Sequence, residues 1–217
     1  MSVGIVLISE PLLIPIWFYS YSAVVYFLAA IISFITSFFA FKLYKVSSVK
    51  LNLFLLFSFL ALGLAFSALT LTSVYTYFYK PYFETFYSLS KMNKMGFNFY
   101  YLTSLVAYVL FLVMYLPKKF SKRFFVLYIP LYYINLTNFH IISILLLLFV
   151  VIKNIANFYK KRNLDSFLVM FAFITMISFH SLLLLTPFDV ELYLLAHVII
   201  TVGFASFLTM LIRVSRR

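Results

Sequence analysis

The chain has 217 residues, 65% of them hydrophobic and 10% charged, and its mean hydropathy is +1.09. One soluble core of this length cannot hide so much apolar surface, so composition excludes an ordinary water-soluble domain and makes lipid the solvent. The formal net charge of +12 is spread over short basic clusters between apolar runs, a topology signal rather than a nucleic-acid footprint, and with no cysteine there is no disulfide, thiolate chemistry or Cys-ligated metal.

The expected fold is all-α, a polytopic membrane protein forming a single transmembrane domain over 1–217. Residues 1–19 carry no basic n-region and no small-residue cleavage site. They are expected to form an outer interfacial segment, with Trp17, Tyr19 and Tyr21 at headgroup level. A spanning helix needs ~20 mostly apolar residues. That criterion places spans at 20–43, 51–73, 97–116, 138–159, 166–186 and 190–212.

Between the third and fifth of the seven expected spans lies a harder stretch. Pro130 breaks it, and Asn135, Thr137 and Asn138 follow, which fits a surface turn better than mid-membrane. A short fourth span is therefore expected at 124–137. The positive-inside rule agrees. With seven spans, 14 of the 17 basic residues lie on the cytoplasmic side, leaving only Lys80, Lys91 and Lys94 outside. With six spans, everything after Phe124 flips, and only Lys42, Lys45, Lys50, Lys118, Lys119, Lys122 and Arg123 stay inside. The expected topology is thus seven spans, N-terminus outside and C-terminus in the cytoplasm. Tyrosines near span ends, among them Tyr75, Tyr77, Tyr79, Tyr100 and Tyr193, are expected in the interfacial belt or the outer loop. Asn135-Leu136-Thr137 also matches a glycosylation sequon.

The second and sixth expected spans align without a gap, residues 52–72 on 166–186. Phe57, Phe59, Ser67, Leu69, Leu71 and Thr72 meet Phe171, Phe173, Ser181, Leu183, Leu185 and Thr186. The third and seventh align as well: Val106, Phe111, Leu112 and Met114 meet Val202, Phe207, Leu208 and Met210, and Ala107-Tyr108 opposes Gly203-Phe204. Two parallel three-span repeats require an odd connector, because three spans reverse the side of the chain. This 3+1+3 plan resembles the layout of the SWEET sugar transporters in topology; their Pro-Gln motif is absent, and no residue role carries over. The seven-span count also resembles rhodopsins, but 190–212 contains no lysine for a retinal Schiff base.

No Asp, Glu, Lys or Arg lies deep in a span, and there is no phosphate loop or paired catalytic carboxylate, so enzymatic chemistry is not expected. The three histidines are the candidates. His180 and His197 lie at matched depth, ~10 Å below the outer surface at 1.5 Å per residue, and His140 begins the fifth span. Several readings follow: paired imidazoles from His180 and His197 for a b-type haem, a metal held by His140, His180 and His197, or a ligand pocket that includes Ser181 and Thr201. Interhelical hydrogen bonding alone is the bland alternative. No particular cofactor is implied.

Three functions fit. One is a receptor-like or accessory subunit with an outer-leaflet pocket around His180 and His197. The others are a small-solute transporter or facilitator and a haem- or metal-binding redox subunit. The expected partners are the lipid bilayer and a further membrane or cytoplasmic protein. The Phe, Tyr, Ile, Lys and Asn bias points to an AT-rich prokaryotic genome and the cell membrane.

Overall fold

The computed structural model describes residues 16–79, 86–116, 136–189 and 191–216. They form six helices: α1 (Ile16–Ser47), α2 (Lys50–Tyr79), α3 (Phe86–Tyr115), α4 (Leu136–Lys161), α5 (Leu164–Leu185) and α6 (Glu191–Ser215). There is no strand among the described residues. All six are long and apolar enough to cross a membrane. Their outward faces are apolar too, with Phe38, Leu71 and Leu145 more than 60% exposed. A helix apolar on every side has lipid as its outer solvent. The chain is a multi-pass helical membrane protein.

The helices run past the expected spans. At ~1.5 Å per residue α1 is ~48 Å long, against a hydrocarbon core of ~30 Å. α2 continues through Tyr75, Tyr77 and Tyr79, which belong to a helix end rather than to the outer loop. Tyr100 is 3% exposed and sits in the core against Phe66 and Phe139, not in the interfacial belt. The expected fourth span lies outside the described residues, apart from its last two positions, which open α4.

Contacts fix the directions. α1 and α2 are antiparallel, since Ser37 Oγ donates to the Leu56 carbonyl while Tyr26 meets Phe66. α2 and α3 are antiparallel through Thr76–Asn93 and Phe59–Phe111. α5 opposes both α4 (His140–His180, Phe158–Phe167) and α6 (Phe179–His197, Ser206–Leu168). Two neighbouring pairs are parallel. Tyr101 stacks on Phe139 and Tyr115 Oη donates to Asn154 Oδ1, so α3 and α4 run the same way. Ser22–Tyr193 and Tyr26–His197 do the same for α1 and α6. One end of the bundle therefore gathers Lys42, Lys45, Lys50, Lys153, Lys160, Lys161, Arg162, Arg213 and Arg216. We call it the basic end. Lys94 lies toward the far end.

The positions paired in the two sequence alignments occupy matching places. Phe59, Phe111, Phe173 and Phe207, all at most 1% exposed, form a closed ring at the centre. Successive centroids are 5.3 Å (Phe59–Phe111), 5.0 Å (Phe111–Phe173), 5.8 Å (Phe173–Phe207) and 4.7 Å (Phe207–Phe59). Exchanging Phe59 with Phe173 and Phe111 with Phe207 maps this ring onto itself. The corners match as well. α1 turns into α2 at Ser48 (φ 53°) and α4 into α5 at Arg162 (φ 45°), 114 positions later. Ser48 N donates to the Tyr44 carbonyl and Arg162 N to the Phe158 carbonyl, each at 2.8 Å. Both are left-handed caps that close the last helical turn.

Close approach explains two glycines. A Cβ on Gly96 would stand 1.9 Å from Thr72 Oγ1, and one on Gly203 would stand 1.9 Å from Thr175 Oγ1. Association in lipid depends on such packing, because burial from lipid supplies no hydrophobic drive.

Candidate functional site

The most elaborate polar contact in the bundle joins three helices. His140 Nδ1 on α4 lies 2.8 Å from His180 Nδ1 on α5, and His180 Nε2 lies 2.8 Å from the Tyr108 hydroxyl on α3. All three side chains are at most 3% exposed. One proton fits between the two Nδ1 atoms, so the tautomers are linked. If the Tyr108 O–H donates to His180 Nε2, then His180 Nδ1–H donates to His140 Nδ1. His140 then keeps its own proton on Nε2. The opposite order leaves the Tyr108 proton without an acceptor. The chain holds α3, α4 and α5 together, and Phe139 and Phe179 flank it with rings 5.5 and 5.1 Å from His180.

His197 stands apart, on α6. Its Nδ1 donates to the Tyr193 carbonyl one turn earlier, leaving Nε2 an acceptor with no hydrogen-bond partner although fully buried. Tyr26, Tyr193 and Phe179 surround its ring at 4.8, 4.2 and 5.8 Å. Phe179 packs against both His197 and His180. Beside His197, Tyr193 Oη is 2.9 Å from Ser22 Oγ and 3.2 Å from Tyr26 Oη, tying α1 to α6.

Of the sequence-selected residues, the structure thus brings together His140 and His180, with His197 in a neighbouring layer. Thr201 Oγ1 donates to the His197 carbonyl on its own helix, and Ser181 is half-buried. No group of three or more His, Asp or Glu able to hold a metal occurs among the described residues. Both ring nitrogens of His180 are engaged, which leaves none for a haem iron in this arrangement. Sequence reasoning missed Tyr108, Ser104 and Ser143. Tyr108 was visible as the polar partner of Phe204 in the span alignment, and that contrast was the available signal.

Three further buried hydroxyls lie on the same helices. Tyr100 and Ser104 precede Tyr108 at intervals of one turn on α3, and Ser143 follows His140 on α4. Among the described residues Ser143 Oγ has no hydrogen-bond partner, and Tyr100 Oη and Ser104 Oγ have none beyond each other. The buried side chains with polar groups among the described residues are Ser, Thr, Asn, His and Tyr, and none carries a formal charge.

No protein family, curated protein or solved structure that we compared matches this chain.

Proposed function

We propose that the protein is a small-solute transporter or facilitator of the cell membrane, built from two parallel three-helix halves, α1–α3 and α4–α6. The observation that carries this reading is the two-fold match between the halves: the closed phenylalanine ring, the paired corners at Ser48 and Arg162, and the common order of helix directions. Parallel repeats about an axis along the membrane normal are a recurring transporter plan, with the substrate site at the interface between repeats.

The chain crosses seven times in this reading. α3 and α4 are parallel neighbours, in contact from Tyr101–Phe139 to Tyr115–Asn154, a shared length of ~21 Å at 1.5 Å per residue. α3 ends at the basic end and α4 starts at the far end. Gathering of the basic side chains at one end supports a cytoplasmic basic end and an outer N-terminus. The receptor-like and redox readings find less support, because both ring nitrogens of His180 are engaged by protein partners and Phe179 packs against both His180 and His197.

The test is uptake into proteoliposomes holding the full chain, measured by stopped-flow light scattering with a panel of neutral and charged solutes. Permeability above that of protein-free liposomes for at least one solute is expected. Identical permeability across the panel would overturn the transporter reading.

A further inference from the structure

The match between halves pairs residues 95–115 of α3 with α6, and α4 and α5 with α1 and α2. On α3, Tyr100, Ser104 and Tyr108 correspond to Ala196, Ile200 and Phe204, 96 positions on. On α4 and α5, His140, Ser143 and His180 correspond to Tyr26, Ala29 and Phe66, 114 positions back. All twelve are buried, none more than 5% exposed. The geometry is retained while the chemistry changes. Phe66 and Phe204 meet at 5.5 Å with planes at 77°; His180 and Tyr108 meet at 5.3 Å and 89°. One junction between the halves, formed by α6, α1 and α2, therefore fills this place with five apolar side chains and a tyrosine. The other junction, formed by α3, α4 and α5, fills it with six polar ones.

An apolar filling demonstrably fits the same backbone frame, so packing does not require the polar set. Buried polar groups in lipid carry a cost that apolar ones avoid. Among the described residues Ser143 Oγ has no hydrogen-bond partner, and the Tyr100 and Ser104 hydroxyls, one turn apart on α3, have none beyond each other. Such groups call for a bound molecule that supplies partners. Hydroxyls and neutral imidazoles both donate and accept, and among the described residues no charged side chain is buried alongside them to balance a charged ligand.

We infer that the Tyr100, Ser104, Tyr108, His140, Ser143 and His180 set is a recognition site for a small uncharged solute rich in hydroxyl or amide groups. Its counterpart at the other junction of the halves, between α6, α1 and α2, is a filled, non-binding copy. The role of the site in transport rests on the function proposed above; the binding does not.

The experiment uses the purified full chain in mild detergent, with glycerol, urea and glucose as uncharged probes and choline and lactate as charged ones. Binding is read by saturation-transfer NMR, in wild type and in the double variant Tyr108→Phe/His180→Phe, which installs the residues of the filled copy. Circular dichroism and size exclusion confirm that the variant is folded, and Ser104→Ala/Ser143→Ala serves as a second variant. Saturation transfer to the uncharged probes, reduced at least tenfold in both variants, with none to choline or lactate, is expected. Equal transfer to wild type and variants, no transfer to any uncharged probe, or preference for a charged probe would overturn the assignment. Parallel uptake separates the two claims. Binding without uptake leaves the site standing and removes the transporter reading. Uptake unaffected by the variants leaves the transporter reading standing and removes the site's role in transport.

Discussion

Replacing Tyr108 and His180 with phenylalanine makes this place a near copy of Phe66 and Phe204, and the consequence for stability can be worked out. Tyr108→Phe alone removes one hydroxyl and strands His180 Nε2, fully buried. His180→Phe alone strands two groups, the Tyr108 hydroxyl and His140 Nδ1. An orphaned buried polar group costs about 1–3 kcal/mol. Interhelical hydrogen bonds in membrane proteins average ~0.6 kcal/mol and reach ~1.7. The membrane figure governs here, because the unfolded helices also find partners. Tyr108→Phe is thus expected to cost about 1 kcal/mol and His180→Phe about 1–2 kcal/mol. The double variant should cost less than their sum by about 0.6–1.7 kcal/mol, since its two rings satisfy each other as Phe66 and Phe204 do. Reversible unfolding in mixed micelles of increasing dodecyl sulfate content, read by circular dichroism, gives the three values. A double variant as unstable as the sum of the singles would refute both the hydrogen-bonded chain and the equivalence of the two places.

Other outcomes follow from individual contacts. Gly203→Leu should destabilise the α5–α6 pair by about 1–3 kcal/mol, because even a Cβ falls on Thr175 Oγ1 and the Ala172 carbonyl stands 3.4 Å behind it. Gly203→Ala should be partly rescued by Thr175→Ala, again by unfolding in mixed micelles. The Arg213–Asp165 ion pair, 3.0 Å long but with the arginine 42% exposed, should change stability by no more than about 1 kcal/mol when Arg213 becomes Ala. Ser48→Gly relieves a non-glycine left-handed φ of 53° and should leave stability equal or up to about 1 kcal/mol higher, whereas Ser48→Val should lower it. Absorption spectra of the purified protein, oxidised and dithionite-reduced, should show no bis-imidazole haem held by His180 and His197, because His180 spends both ring nitrogens on protein partners.

Much of this architecture was legible in the sequence, for a physical reason. Lipid demands ~20 apolar residues per crossing, and that requirement survives in the residue string as the six described helices. The phenylalanine ring was half visible: alignment paired Phe59 with Phe173 and Phe111 with Phe207, but not their mutual contact. Helix ends were misjudged because a helix continues past the hydrocarbon, as α2 does through Tyr79. The α1–α4 correspondence escaped because Tyr26 and His140 share a place without sharing a residue type. The polar chain was illegible for a different reason. Hydropathy ranks residues one at a time, and nothing in the spacing of α3 says that Tyr108 will meet a histidine 72 residues later. Equal depth likewise suggested that His180 and His197 converge, but depth does not fix the helix face, and Phe179 packs against both.

The absence of native cysteine makes sidedness directly measurable. Single cysteines at Lys45, Lys118, Asn138 and Lys161, each labelled in intact cells and in inverted vesicles with a membrane-impermeant maleimide, test the two-half architecture most directly. Two parallel halves joined by a seventh crossing predict that Asn138→Cys labels from outside while Lys45→Cys, Lys118→Cys and Lys161→Cys label only from the cytoplasmic face. Labelling of Lys118→Cys and Asn138→Cys from the same side would contradict it.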